Sequence, residues 1–270
     1  MASEQQATGH VAVAGGEVHY VMSGDGPPLV FAHGIGGNFR SWWQQLGDLS
    51  RRYTCISFSH RGFAPSIDIT GTPRPALYGQ DLGALLDHLR IDSAAIVGQS
   101  MGGWTALEFA LLAPGRVAAL VLSGTTGSLD LPGLLSLAET GADPRVLRCR
   151  ADGISPAAGR RMAGEQPELH QMFLDIDRAS GDWDRAPVRE ALDRMRIRQP
   201  ADFTLDCPIL AIVGDEDLIC PPANVQAMAA ALPRVELHIM PQTGHSAYFE
   251  RPAAYNQYIC DYLSGIEAYR

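Results

Sequence analysis

The sequence predicts an α/β protein: a mostly parallel, doubly wound sheet covered by helices, with an inserted helical cap. Three observations carry that expectation. Short β-rich runs alternate with amphipathic stretches up to residue 124, strand signals vanish between 125 and 206, and the alternation resumes from 207. Strand–helix alternation of this kind builds a parallel sheet with helices on both faces. The expected organisation is therefore a core made of 1–124 and 207–270, with a cap over 125–206.

Each element has its own signal. Residues 17–23 read as a strand, GDGPP (24–28) as a turn and LVFAH (29–33) as a short buried strand. A glycine loop follows, then an amphipathic stretch over 41–51 and a strand at YTCISFS (53–59). Leu82, Leu85, Leu86 and Leu89 share one face of a helix expected over 75–90. The continuous apolar run SAAIVG (93–98) suits a strand buried on both faces. A helix over 100–112 and the strand RVAALVLSG (116–124) complete the first half. The interruption carries 11 of the 21 arginines and short helical stretches such as APVREALDRMRI (186–197). CPILAIVG (207–214), a helix over 222–232, VELHIMP (235–241) and a helix over 252–263 resume the pattern.

Composition narrows the function classes. A chain of 270 residues, 46% hydrophobic and 19% charged, can bury a substantial core. A net charge of −9 argues against a nucleic-acid surface, which needs clustered positive charge. Every basic residue is arginine, so neither a Schiff-base lysine nor a phosphate-loop lysine exists. No run approaches the length of a membrane span, and the polar N-terminal stretch lacks the pattern of a signal peptide. Cys55, Cys149, Cys207, Cys220 and Cys260 are odd in number and scattered, which suits reduced thiols in a cytoplasmic protein. No cofactor or metal site is expected. The partner is a small-molecule substrate, with homodimer formation left open.

The strongest chemical signal is Gly98-Gln99-Ser100-Met101-Gly102, where a buried strand gives way to a helix. G-x-S-x-G places a serine on a strained turn and aims the helix N-terminus at the reacting oxygen. A serine nucleophile needs a base, and the base needs an orienting acid. Asp217, in VGDEDLICPP, and His245, in MPQTGHSAYFERP, each follow a strand on the C-terminal side, where open α/β sheets bind ligands. Asp215 is the alternative acid.

With these residues the chain resembles the α/β-hydrolase fold superfamily over nearly all its length outside 125–206. The matched features are His33-Gly34 before a glycine loop, the Arg61-Gly62 turn, the Gly98–Gly102 elbow, Gly214 followed by Asp217, and Gly244-His245. Ser59 and Ala64 depart from the family's pattern around the Arg61-Gly62 turn, leaving the subfamily undefined. The resemblance implies Ser100 as nucleophile, His245 as base and Asp217, three residues after Gly214, as acid. It implies a backbone oxyanion hole from Met101 and Ile35, with Gly36 the alternative to Ile35. His33 would be structural and His60 a loop residue. Leu129, Leu135, Met172, Phe173 and Trp183 are candidates to line an apolar substrate pocket under the cap.

The expected function is hydrolysis of a small carboxylic ester or lactone through an acyl-enzyme. A carbon–carbon bond hydrolase of ring-cleavage products is the rival within the fold, as is an enol-lactone hydrolase. The carbon–carbon hydrolases usually carry a tryptophan just after the histidine, where this chain reads Ser246-Ala247-Tyr248. An aspartate nucleophile is excluded by Ser100. The alternative from another class is a ligand receptor with a vestigial triad, which a fluorophosphonate probe would fail to label.

Overall fold

The computed structural model describes residues 6–71 and 74–269; residues 1–5 of the polar N-terminal stretch lie outside it. In chain order the strands are β1 (Ala7–Val13), β2 (Gly16–Ser23), β3 (Pro28–Ala32), β4 (Thr54–Phe58), β5 (Ile67–Asp68), β6 (Ala94–Gln99), β7 (Val117–Ser123), β8 (Ile209–Gly214) and β9 (Val235–Met240). The helices are α1 (Trp43–Leu49), α2 (Tyr78–Leu89), α3 (Met101–Leu112), α4 (Leu137–Gly141), α5 (Pro144–Ala151), α6 (Gly159–Glu165), α7 (Pro167–Ala179), α8 (Ala186–Arg194), α9 (Pro222–Ala231), α10 (Ala247–Glu250) and α11 (Pro252–Ser264).

The strands form one sheet in the order β1-β2-β4-β3-β6-β7-β8-β9, with β5 paired to β2. From β4 to β9 every pairing is parallel; β1, β2 and β5 add an antiparallel edge. Alternate residues of each central strand feed opposite faces, as the two-residue period of a strand requires. Val30, Ile56, Ile96, Leu120 and Ala211 pack towards α2, α3 and α9. Leu29, Cys55, Val97, Val121 and Leu210 pack towards α1 and α11. The helices cover both faces, so the sheet interior is dry on either side.

β1 was not foreseen. Its ATGHVAV run is half-exposed and lies at the sheet edge, where only β2 pairs with it, so it needs no strong apolar pattern. The interrupted segment is also narrower in its helical part than 125–206. Its helices run from 137 to 194, while Leu129, Phe203 and Leu205 are buried in the core cluster that contains α3 and α9. A bridge between Leu129 and Arg198 closes the segment where it leaves the core.

Parallel register brings the C-terminal ends of the central strands level. Ala32 pairs with Gly98, Gln99 with Ser123, Ser123 with Ile212, and Gly214 with Met240. The loops after β3, β6, β8 and β9 therefore emerge side by side at one edge of the sheet. The helical insertion adjoins that edge. Among the described residues no helix is long and apolar enough to cross a membrane.

Candidate active site

Ser100 stands between the fully buried strand β6 and the first residue of α3. Its backbone has φ 51° and ψ −118°, a conformation an L-residue rarely adopts. The neighbouring glycines make the turn feasible. A Cβ on Gly98 would strike the Gly102 carbonyl, and one on Gly102 would strike that of Ala32. The strained turn is pinned on both sides, since Ser100 N–H donates to the Ser123 carbonyl (2.9 Å) and Gly103 N–H to that of Ser100 (2.8 Å). Met101, as the first residue of α3, has an N–H with no acceptor inside the helix.

Asp217 follows β8, and its side chain is removed from solvent. One carboxylate oxygen accepts the backbone N–H groups of Ile219 and Cys220, each at 2.8 Å. The other lies 2.8 Å from His245 Nδ1. A carboxylate can only accept, so Nδ1 carries the proton and Nε2 keeps a lone pair. Asp215, two residues away, is exposed, and its carboxylate accepts the Thr243 N–H at 3.3 Å. Glu216 points outward to Arg161. Only Asp217 meets the histidine.

The loop bearing His245 is tied from several directions. Gln99 Nε2 donates to the His245 carbonyl (3.2 Å), and Glu250 accepts the Gly244 N–H (2.8 Å). Gln45 Nε2, from α1, donates to the Tyr248 carbonyl (3.0 Å), and Trp42 packs against the Tyr248 ring. Burial pushes the Glu250 carboxyl up to about 7, although the Gly244 N–H opposes that shift. Gln99 and Glu250 were not anticipated. Gln99 is a variable position of the elbow, and its partner lies 146 residues away.

The loop after β3 is held from beneath by a chain of neutral groups. His33 Nε2 accepts the His60 backbone N–H (2.9 Å), which leaves Nδ1 to donate to the Gly34 carbonyl (2.7 Å). His60 Nδ1 lies 3.0 Å from the same His33 nitrogen, and His60 Nε2 lies 2.9 Å from the Thr105 hydroxyl. The pattern closes with His60 donating through Nδ1 and accepting from Thr105. Both rings are buried, which lowers His33 to about 4 and His60 well below its ordinary value. His60 is thus a buried structural partner of His33. Beyond them, Gly37 N–H donates to the Gly34 carbonyl (3.0 Å), and Asn38 Nδ2 reaches the Ile176 carbonyl of α7 (3.2 Å).

Ser100, His245, Gln99 and residues 34–37 line one cavity of about 380 Å³, together with residues of α4, α5, α7 and α8. Ile35 lines it, while the Met101 side chain is buried beside Phe63, Tyr78 and Trp104. Of the five apolar residues expected in a pocket, only Phe173 lines this cavity. Leu129 is core. Leu135 and Met172 face solvent at 42% exposure each, and Trp183 packs edge-on against Phe63. Apolar character indicated burial somewhere but not which surface each residue would cover. The lining also holds Arg150, Asp177, Arg185 and Arg189, which no sequence pattern singled out. Among the described residues no group of three His, Cys, Asp or Glu side chains could hold a metal ion.

Comparison with known proteins identifies the family. The family described as alpha/beta hydrolase fold matches residues 27–252. A provisionally named non-heme bromoperoxidase of Mycobacterium tuberculosis, BpoC, is 30% identical over 264 residues, covering 92% of this chain and 98% of its own. The 3-oxoadipate enol-lactonase 2 of Acinetobacter baylyi is 28% identical over 242 residues, covering 86% of each chain. Among solved structures, a thermophilic esterase from Thermogutta terrifontis superposes with a TM-score of 0.75 at 26% identity, covering 97% of this chain and 99% of that one. The chain belongs to the alpha/beta hydrolase fold family, and it is a hydrolase.

Proposed function

We propose that the protein cleaves a small carboxylic ester or lactone through an acyl-enzyme on Ser100. The observation that carries this reading is the buried Asp217–His245 pair beside a serine held at φ 51°, with Ser100 and His245 both lining one cavity. In this mechanism His245 Nε2 takes the Ser100 proton as Oγ attacks the carbonyl carbon, and Asp217 stabilises the imidazolium that forms. The N–H groups of Met101 and Ile35 receive the developing oxyanion. The tetrahedral intermediate collapses by breaking the ester bond, and His245 returns its proton to the departing alkoxide. Water, deprotonated by His245, then attacks the acyl-enzyme; the bond to Oγ breaks, the acid is released and Oγ takes back the proton from His245. The insertion acts as a cap, and a cavity of this size favours short or medium acyl groups over long-chain lipid.

The test is Ser100→Ala. Turnover of a short-chain ester should fall by about 10⁴–10⁶-fold while the fold is retained. A fluorophosphonate should label the wild type at Ser100 and leave the variant unlabelled. A variant retaining a tenth of wild-type turnover would sink the acyl-enzyme reading.

A further inference from the structure

Ester cleavage leaves one feature of the cavity unused. Three of its lining side chains are arginines, Arg150, Arg185 and Arg189, and its one acidic lining residue among those described is Asp177. In a chain of net charge −9 this reverses the sign of charge locally. A molecule-wide negative field repels an anionic ligand, so any anion held there depends on these nearby guanidinium groups.

The three arginines are not equivalent. Arg185 is committed to the protein. It donates to the carbonyls of Trp183, Asp177 and Gly181 and to the Ser180 hydroxyl, with a long contact to the Ile35 carbonyl. It also pairs with Asp177, the cavity's one acidic residue among those described, at 3.1 Å. Arg150 makes a single side-chain bond, to the Gly141 carbonyl (3.1 Å). Arg189 makes no side-chain hydrogen bond or ion pair among the described residues, and Asp177 and Asp184 act on it only at longer range. Desolvation and the neighbouring charges of Arg150 and Arg185 pull its guanidinium below the ordinary value. Arg150 and Arg189 both keep part of their surface open to solvent at the cavity rim, and an unpartnered guanidinium beside a like charge is stabilised by an anion with planar acceptor geometry. The same lining that holds these arginines and Ser100 also includes the apolar Leu137, Ile154, Phe173 and Leu174.

We propose that the substrate carries a carboxylate, separated from the scissile carbonyl by a short apolar stretch, and that Arg189 and Arg150 hold that carboxylate. This rests on the reading of Ser100 as the nucleophile. Arg185 ties the cap to the oxyanion loop and takes no part in reading the substrate.

The experiment compares methyl hemiesters of the dicarboxylic acids from succinate to suberate with their neutral dimethyl esters, followed by pH-stat. The wild type should prefer the best hemiester by about 10–100-fold in kcat/KM, mostly through KM, as expected for a charge-assisted contact made before and during reaction. Arg189→Gln should abolish most of that preference and Arg150→Gln part of it. Arg194→Gln, on the same helix but 70% exposed, should preserve it. Binding of free adipate by calorimetry, weakened in Arg189→Gln, reads the same site without turnover. Equal kcat/KM for hemiester and diester in the wild type, or adipate binding indifferent to Arg189, overturns the proposal. If no ester is turned over and Ser100 resists the fluorophosphonate, the hydrolytic reading fails, and the calorimetry alone judges the carboxylate site.

Discussion

The sheet domain and the helical insertion both use charge pairs, but among the described residues the fully enclosed ones lie in the sheet domain. In the sheet domain the Asp217–His245 pair and the Arg61–Asp81 pair are out of solvent, the latter with side chains 1% and 4% exposed. In the insertion Arg178–Asp175 and Arg194–Glu190 lie open, the last with both side chains 70% exposed. Water screens the second kind, and a long side chain loses entropy when it is fixed, so such pairs contribute little. The first kind has no water to fall back on. Removing one partner there strands a charge. Charge pairing in this molecule therefore matters by place and not by number.

The sharpest way to break that contrast uses two aspartates two residues apart. Asp217→Asn should cut turnover by about 10²–10⁴-fold, because the amide no longer holds His245 in the tautomer that leaves Nε2 free. Asp215→Asn, exposed and away from the histidine, should cost less than about tenfold. Kinetics on one short ester decide it, and a crippled Asp215→Asn beside a mild Asp217→Asn would reverse the assignment.

Next in size is a stability effect. Asp81→Ala leaves Arg61 buried without its carboxylate and should destabilise the fold by about 3–5 kcal/mol in urea unfolding. Replacing both members by apolar residues of similar volume should restore most of that loss. A single variant as stable as the wild type would mean the pair is wetter than its burial implies.

Titration sharpens the contrast further. His33, held at about 4 when folded against an ordinary 6.5, binds its proton more weakly in the native state. Its contribution is complete above pH 6.5 and is lost as the pH falls towards 4, by about 3 kcal/mol at most. Glu250 works the other way: raised from 4.5 to about 7, it favours the native state at low pH and loses that contribution as the pH rises through the same interval. Those two contributions nearly offset each other, and His60, lowered in the same sense as His33, tips the balance, so unfolding midpoints measured between pH 7.5 and 5 should fall with acid. The slope should flatten in His33→Asn and steepen in Glu250→Gln. Identical slopes in all three proteins would contradict both assignments.

The smallest effect expected is the control. Arg194→Gln, which removes the open pair with Glu190, should change stability by no more than about 0.5 kcal/mol in the same denaturation experiment. A larger loss would mean that the insertion depends on its surface charges.

Local patterns carried most of what was legible in the sequence. β3, β4, β6, β7 and β8 announced themselves as apolar runs, and the structure shifts their ends by no more than two residues. Ser100, Asp217 and His245 were legible because each sits in a short motif at the end of such a run. The contacts that hold them were not legible. Gln99 to His245, Asn38 to Ile176 and Gln45 to Tyr248 join residues more than 130 positions apart, with no local signature at either end. The insertion was opaque for a related reason. Its helices run from 5 to 13 residues and are rich in arginine and acid, so hydrophobic spacing could not tell Phe173, which faces the cavity, from Met172, which faces water.

The backbone of Ser100 carries one more consequence. Its dihedral angles are easy for glycine and costly for any side chain. Laboratory selection for heat resistance alone would therefore be pulled towards glycine at this position, and under the proposed mechanism the tougher molecule it recovered would be inert. On that mechanism, thermal screens of this protein need an activity gate, because endurance and the proposed chemistry compete for the same residue.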